Sequence, residues 1–316
     1  MKLDVLADAL DAALPGRAHR GRPLAPLTTY RLGGPAALLV EVGDGADVAA
    51  LAEVLQRAGD VPLLFLGRGS NTVVSDEGWP GVVVHAGPGL ARIEAGPAEG
   101  SVLAGAGTSM PQLANWAARR GLTGLEFLVS IPGSVGGGVR MNAGAHGSEI
   151  ADHLTVARVL DLDARSLDEI AVADLGMGYR RSALAPAQFV IDARFSLEVA
   201  PSAAIRERME SFRRHRAATQ PGAALNAGSV FKNPPGDFAG RLVEATGLKG
   251  FAVGGARVSE VHANFFVAAP GATAQDVFDL VHAVRTKVKA ATGIELEPEV
   301  RFAGSFRAPA AAGAGS

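Results

Sequence analysis

The sequence predicts a mixed α/β protein built from a compact α/β unit, an α+β unit and a third, C-terminal α+β unit. Three observations carry this. From Ala36 short β-like runs alternate with helical ones, the order expected of strands covered by helices. A second stretch is centred on a glycine-dense segment, Gly133 to Gly147. Near the C-terminus Val277, Val281, Val284, Val288 and Ala291 recur at spacings of three and four, the periodicity of a helix buried along one face. At roughly 150 residues per domain, 316 residues leave room for two or three domains with sizeable cores.

Met1 to Leu14 sets Asp4, Asp8 and Asp11 among leucines, which fits an amphipathic helix and not the basic start of a signal peptide. Strands are expected at Ala37 to Val42, Pro62 to Leu66, Thr72 to Val74 and Val82 to His85, with a helix from Ala46 to Ala58. The next unit runs from Ser101 through a helix, Pro111 to Arg120, to the glycine-dense segment, read as a loop. It closes with strands Leu154 to Asp161 and Phe189 to Leu197. The charged run Ser202 to Arg216 reads as a joining helix, which places a boundary near Pro201, and the polar stretch Thr219 to Asn226 reads as a loop. The last helix has Thr273 at its N-cap and Gly293 past its end. Glu295 to Phe302 alternates like a strand, and Arg307 to Ser316 is Ala/Gly/Pro-rich and expected to fray. The expected divisions are 1–88, 89–200, 201–306 and a tail, 307–316.

Composition narrows the chemistry. Thirty Lys and Arg against 32 Asp and Glu leave a net charge of −2, so no global basic field holds nucleic acid or an acidic membrane. The absence of cysteine removes disulfides, thiolate catalysis, thiolate-bound zinc and iron–sulfur clusters, and fits either a reducing compartment or indifference to redox state, a cytosolic location being the plain reading. No apolar run reaches the ~18 residues of a membrane span. The seven histidines are scattered without a His-Glu-x-x-His pattern, so no metal site is expected. Forty glycines, about twice the usual share, must serve particular turns.

Two glycine segments stand out. Gly67-Arg68-Gly69-Ser70-Asn71-Thr72 is a turn between β-like runs, whose successive N–H groups can form a nest for a phosphate. An ordinary tight turn is the alternative. It is not the dinucleotide fingerprint, since Thr72 stands where a third glycine is required. Ile131-Pro132-Gly133-Ser134-Val135-Gly136-Gly137-Gly138, followed by Asn142-Ala143-Gly144-Ala145, implies close backbone approach to something flat or anionic, with a flexible lid as the alternative.

Ser229-Val230-Phe231-Lys232 has the Ser-x-x-Lys spacing of penicillin-recognising enzymes. Pro234 and Pro235 oppose the helix that such chemistry wants, and a serine can instead donate a proton while Lys232 holds an anion. Arg180, in Gly178-Tyr179-Arg180-Arg181, is a candidate for polarising an oxyanion, and Glu299, in Glu297-Pro298-Glu299-Val300-Arg301, for orienting it or sharing a proton.

Taken in order, these segments resemble the UDP-N-acetylenolpyruvoylglucosamine reductase (MurB) family, from Thr28-Thr29-Tyr30-Arg31-Leu32-Gly33-Gly34 to Pro298-Glu299-Val300-Arg301-Phe302. Gly247-Leu248-Lys249-Gly250 and Val258-Ser259-Glu260-Val261-His262-Ala263-Asn264 also look like its third domain. The resemblance implies a two-subdomain FAD-binding fold of the vanillyl-alcohol-oxidase (PCMH) type and a C-terminal α+β substrate-binding domain. It implies non-covalent FAD held by Tyr30, Gly67, Arg68, Gly69, Ser70, Asn71, Thr72, Ile131, Pro132, Gly133, Ser134, Gly136, Gly137, Asn142, Gly144, Ala145 and Arg301. Arg180, Ser229 and Glu299 match the family's catalytic positions, and Tyr179, Lys232, Asn233, Lys249 and His262 those facing a nucleotide sugar. NADPH is the implied hydride donor, and a cytoplasmic monomer in peptidoglycan precursor synthesis the implied setting.

One departure follows. Some members carry, after the Tyr-Arg motif, an inserted loop that brings a tyrosine onto the substrate diphosphate; here Arg181 runs almost directly into the strand at Phe189. The chain looks like the compact subtype, with His262 and Lys249 as replacements for that tyrosine. Another FAD-linked oxidase of the same fold, or a serine acyltransferase using Ser229 and Lys232, are the alternative readings.

Overall fold

The computed structural model describes residues 3–222 and 224–309. In chain order the principal elements are α1 (Leu3–Ala13), β1 (Ala18–Pro23), β2 (Pro35–Val42), α2 (Gly45–Ala58), β3 (Leu63–Leu66), β4 (Thr72–Val74), β5 (Trp79–Ala86), β6 (Ile93–Ala95), β7 (Ser101–Gly105) and α3 (Met110–Arg119). They continue with α4 (Val135–Met141), β8 (Leu154–Asp161), β9 (Ser166–Ala171), β10 (Gln188–Ser196), α5 (Ser202–Thr219) and α6 (Ala239–Ala245). The last are β11 (Ala252–Val253), β12 (Ala256–Val258), β13 (Phe266–Ala268), α7 (Ala274–Thr292) and β14 (Arg301–Ala303). Two compact units result: Met1–Gly21, Ala37–Arg68 and Gly81–Arg216 form the first, and Arg22–Ala36, Gly69–Pro80 and Ala217–Ser316 the second.

In the first unit a four-stranded sheet runs β1-β2-β5-β3, with β3 and β5 parallel and Leu66 opposite His85. α2 starts where the Asp44 carboxylate accepts from Ala46 and Asp47 N–H at 2.9 and 3.0 Å, an N-cap that satisfies orphan donors. Its Val48, Leu51 and Leu55 join Leu6 and Leu10 of α1 and Val82 and Val84 of β5 in one core. Each fully buried leucine there is worth about 1.5–3 kcal/mol against exposure. A five-stranded sheet, β9-β8-β10-β7-β6, supports a second core with Leu113 and Ala117 of α3, Val135 and Val139 of α4, and Val102 and Phe195. α5 buries only Ile205 and Met209.

The glycine-dense segment, expected as a loop, contains the seven-residue helix α4. Glycine opposes a helix, and packing overrides it: a Cβ on Gly136 would stand 2.8 Å from that of Ala106, so the bare helix face is what allows the close approach.

The second unit holds the antiparallel sheet β11-β12-β13 and the parallel pair β14-β4. α7 opens on Thr273, which accepts from Asp276 N–H at 3.1 Å, and closes on Gly293 in the left-handed conformation. Val277, Val281, Val284 and Val288 are buried, as the spacing requires. Of the expected strand from Glu295, only Arg301–Ala303 is regular, because its partner β4 is three residues long. In the segment expected to fray from Arg307, the Arg307 backbone exchanges hydrogen bonds with the Gln275 amide at 3.0 and 3.2 Å; residues 310–316 lie outside the described residues, as do Met1 and Lys2 of the expected first helix. Among the described residues no helix is long and apolar enough to cross a membrane.

Candidate active site

In the first unit the chain leaves β3 at Gly67, where a Cβ would collide with the Ser134 hydroxyl. The two glycine segments therefore touch: Gly67 lies against Ser134, which is 3% exposed. Val135 and Gly136 donate their N–H groups to the carbonyls of Thr108 and Ala106 at 2.8 and 3.0 Å. Those amides, read from sequence as donors for an anion, instead seat α4 on the Ala106–Thr108 turn. Pro132 and Gly137 are exposed on the other side, Arg68 is exposed, and Ile131 is half-buried.

Gly178 and Arg181 exchange backbone hydrogen bonds at 3.1 Å, closing a turn with Tyr179 and Arg180 at its tip. Arg180 has φ 55°, uncommon for a residue with a side chain. Its guanidinium donates to the Gly144 carbonyl at 2.8 Å and stands 5.0 Å from the Tyr179 ring centre, within cation–π range. Asn142, expected to touch a cofactor, is fully buried. Its amide donates to the Gly178 carbonyl at 3.1 Å and accepts from Ala151 N–H at 3.0 Å, so it carries the Tyr179–Arg180 turn. Gly144 and Ala145 pair with Glu149 and Ser148 in a short hairpin.

In the second unit Ser229 pairs across from Phe265 and Phe231 from Pro298. Glu299 N–H donates to the Val230 carbonyl at 2.7 Å, which puts Ser229 and Glu299 on adjoining extended segments. Asn264, 4% exposed, clamps the same stretch: it accepts from Phe231 N–H at 2.9 Å and donates to the Phe231 carbonyl at 2.8 Å. Sequence reasoning assigned Asn264 no role, although a lone amide before the apolar run Phe265-Phe266-Val267 was a signal. Lys232 is turned to Glu297, Nζ–Oε1 2.7 Å. With residues 229–232 extended, Ser229 and Lys232 are not one helical turn apart, and the Ser-x-x-Lys acyl-transfer reading falls.

Lys249 Nζ reaches Glu244 at 2.7 Å. His262 lies between them electrostatically; burial first, and then Lys249, push its imidazole below its ordinary range, against the pull of Glu244. Its Nδ1 accepts from Asn264 N–H at 3.2 Å, so the neutral ring carries its proton on Nε2. Asn233 accepts from Ala239 N–H at 3.0 Å, at the start of α6. Asn71 donates to the Glu299 carbonyl at 3.1 Å and accepts from Arg301 N–H at 2.9 Å, while Thr72 pairs with Arg301. Ser70 is half-buried. Tyr30, expected to touch a cofactor, has no exposed surface; its hydroxyl donates to the Phe266 carbonyl at 2.9 Å, and burial pushes its phenol up.

Comparison with known proteins decides the family. A model of the UDP-N-acetylenolpyruvoylglucosamine reductase C-terminal domain matches residues 220–303, and one of an FAD binding domain matches 36–168. UDP-N-acetylenolpyruvoylglucosamine reductase 2 of Symbiobacterium thermophilum is 46% identical over 92% of this chain and 93% of its own. The reductase of Acidiphilium cryptum is 43% identical over 96% and 97%. The chain belongs to the UDP-N-acetylenolpyruvoylglucosamine reductase family. The crystal structure of the Thermus caldophilus MurB superposes with a TM-score of 0.77 at 38% identity, over 91% of this chain and 98% of that one. As in that family, the fold is the FAD-binding one of the vanillyl-alcohol-oxidase type with a C-terminal α+β domain.

The residues present fit FAD. At Gly67 any side chain would fill the space taken by Ser134, which leaves bare backbone beside the exposed Arg68, a pairing suited to a diphosphate. In this MurB-family chain nothing regular intervenes between Arg181 and β10, as the compact subtype requires.

Proposed function

We propose that this chain reduces the enolpyruvyl ether of UDP-N-acetylglucosamine to UDP-N-acetylmuramate with NADPH, in peptidoglycan precursor synthesis. The observation that carries the reading is the backbone hydrogen bond from Glu299 to Val230, which sets Ser229 and Glu299 on adjoining segments in a chain of this family. FAD, held by the two glycine segments, would supply the hydride chemistry between NADPH and C3 of the enolpyruvyl group.

Ser229 gives its proton to C2, so that C3 gains the hydride, C2 the proton, and the double bond is lost. Arg180 and Glu299 stabilise the substrate carboxylate as it takes on enolate character. Such preorganised groups act without reorienting as charge develops, and removing one costs on the order of 10²-fold or more. Tyr179, Lys232, Asn233, Lys249 and His262 hold the nucleotide sugar, Lys249 and the Nε2–H of His262 meeting its phosphates. Gly67 to Thr72, Ile131 to Gly137, Gly144, Ala145 and Arg301 line FAD. The divisions 1–88, 89–200 and 201–306 serve as two FAD subdomains and the substrate domain. A near-balanced charge favours a small-molecule partner over nucleic acid, and the reading takes the enzyme as a cytoplasmic monomer.

The test is spectral and kinetic. The purified protein shows flavin absorbance and oxidises NADPH when given the enolpyruvyl nucleotide sugar. A protein that takes up no FAD, or one that oxidises NADPH equally fast with O₂ alone, overturns the reading; the second result marks an oxidase of the same fold.

A further inference from the structure

α4 begins inside the glycine segment that lines FAD in this reading, and its last turn carries Arg140. Between the Gly178–Arg181 pair and the start of β10 at Gln188, residues 182–187 form neither helix nor strand. Arg140 holds that stretch. Its guanidinium donates to the Leu184 carbonyl at 3.2 Å, to the Ala185 carbonyl at 3.1 Å, and also to the Gln188 carbonyl. The Arg140 carbonyl in turn accepts from the Ser182 hydroxyl at 2.8 Å. Two residues on, the Asn142 amide donates to the Gly178 carbonyl at 3.1 Å. The turn that bears Tyr179 and Arg180 is thus tied to the end of α4 on both sides, through Gly178 before it and through Ser182 to Gln188 after it.

We propose that Arg140 is a positioning residue for Arg180. A guanidinium is planar and presents five N–H donors in a rigid fork, so three carbonyls gathered on one head cannot shift independently. Arg180 sits at φ 55°, a conformation that a residue with a side chain keeps only where its surroundings over-determine it. Asn142 fixes the first residue of the turn, and Arg140 fixes the limb that follows. At its other end α4 is seated by Val135 and Gly136 on the Ala106–Thr108 turn. One short helix therefore serves both the cofactor and the arginine that meets the substrate carboxylate. A misplacement of about 1 Å is enough to cost such a group most of its effect on the reaction. The inference rests on the reading that Arg180 stabilises that carboxylate.

The test combines amide hydrogen exchange with anaerobic stopped-flow on the FAD-loaded protein. Arg140→Met keeps an apolar stem and removes the donors. Exchange speeds up across residues 178–188 and stays at the parent level over β7 and β8. Reoxidation of the reduced flavin by the enolpyruvyl nucleotide sugar slows on the order of ten- to a hundredfold, while NADPH reduces the flavin at near the parent rate. In an Arg180→Ala background the same substitution changes reoxidation by less than about twofold, because the group it positions is gone. Parent-like exchange at 178–188, or parent-like reoxidation in Arg140→Met, overturns the proposal. Equal loss with and without Arg180, or equal slowing of both half-reactions, overturns it too, since either pattern marks a general loss of packing. Should circular dichroism show Arg140→Met unfolded, Arg140→Lys replaces it, with a point charge in place of the fork, and is held to the same outcomes. An Arg180→Ala protein that reoxidises at the parent rate overturns the reading of Arg180 and this proposal with it, a result visible before any Arg140 variant is compared.

Discussion

Glu299 donates its backbone N–H to the Val230 carbonyl at 2.7 Å. One residue before that carbonyl stands Ser229, itself paired across from Phe265 on a stretch clamped by the buried Asn264. The backbone that carries the Ser229 hydroxyl is thus held from both sides, which suits the proton-donor role proposed for it.

Ser229→Ala therefore separates the two half-reactions. NADPH still bleaches the flavin at near the parent rate, while reoxidation by the enolpyruvyl substrate slows by ~10²- to 10⁴-fold, the usual contribution of a positioned general acid. Anaerobic stopped-flow on each half checks this. A serine that only supports the loop costs about 1 kcal/mol of stability and leaves substrate-driven reoxidation at the parent rate, which would sink the proton-donor assignment.

Lys249→Ala raises KM for the nucleotide sugar by about ten- to a hundredfold, the range for a charged hydrogen bond lost, with a smaller change in kcat. The Lys249–Glu244 pair in the free protein, 2.7 Å, is partly exposed and worth little to the fold, so stability changes by under about 1 kcal/mol. Steady-state kinetics at saturating NADPH decide; an unchanged KM removes Lys249 from the site.

Gly69→Ala puts a methyl into the Leu27 carbonyl and 2.7 Å from the Thr28 α-carbon, at φ 57°. Both obstacles are backbone and cannot swing aside. A loss of about 1–3 kcal/mol is expected from the strain, with weaker FAD retention. Thermal unfolding of the apoprotein and FAD content on purification measure the two effects; a variant that matches the parent in both contradicts the packing argument.

Stability falls on mild acidification. Burial is the main cause that pushes the imidazoles of His85, His146, His262 and His282 below their ordinary value of 6.5. The unfolded chain then binds more protons than the folded one as pH drops through 6.5. The histidines' contribution is whole above that pH and is lost as pH falls through the depressed folded values. Asp44, Asp161 and Asp237, held below 3.8 mainly by backbone N–H donors for the first two and by Arg241 for the third, add their loss only in stronger acid. Urea midpoints decline between pH 6.5 and about 5; a flat profile there contradicts the assignment.

FAD is released intact by heat or acid. The chain has no cysteine to attach it, and neither glycine segment, Gly67 to Thr72 or Ile131 to Gly138, contains a histidine. Chromatography of the supernatant finds FAD. Flavin left on the pellet, or recovered as FMN, contradicts this.

Elements with local signals were legible. α2 and α7 carry their caps and stripes within their own residues. β1, with the sequence AHRGRP, has no apolar alternation and exists because β2 offers it an edge. α4 was hidden because its glycines deny helix locally and are needed only in packing, Gly136 against Ala106 and Gly138 against Ile150 and Met110. The catalytic candidates were visible as residue types in order, whereas the Ser229–Lys232 spacing left an acyl-transfer alternative open because spacing along the chain does not tell an extended segment from a helix.

By itself the sequence determined the class of fold, the glycine turns, the caps and the set of groups able to do the chemistry, since these depend on residues within a few positions of one another. Only the tertiary structure decided that Tyr30 is a core residue bonded to Phe266, that Asn71 holds the Glu299 carbonyl, and that the Asp76 carboxylate accepts from the first N–H groups of α7 at 2.8 and 3.0 Å. Each of these joins residues about two hundred positions apart. A hydrogen bond of that kind forms only after the chain has closed the loop between its partners, and nothing in either residue's neighbourhood encodes the other.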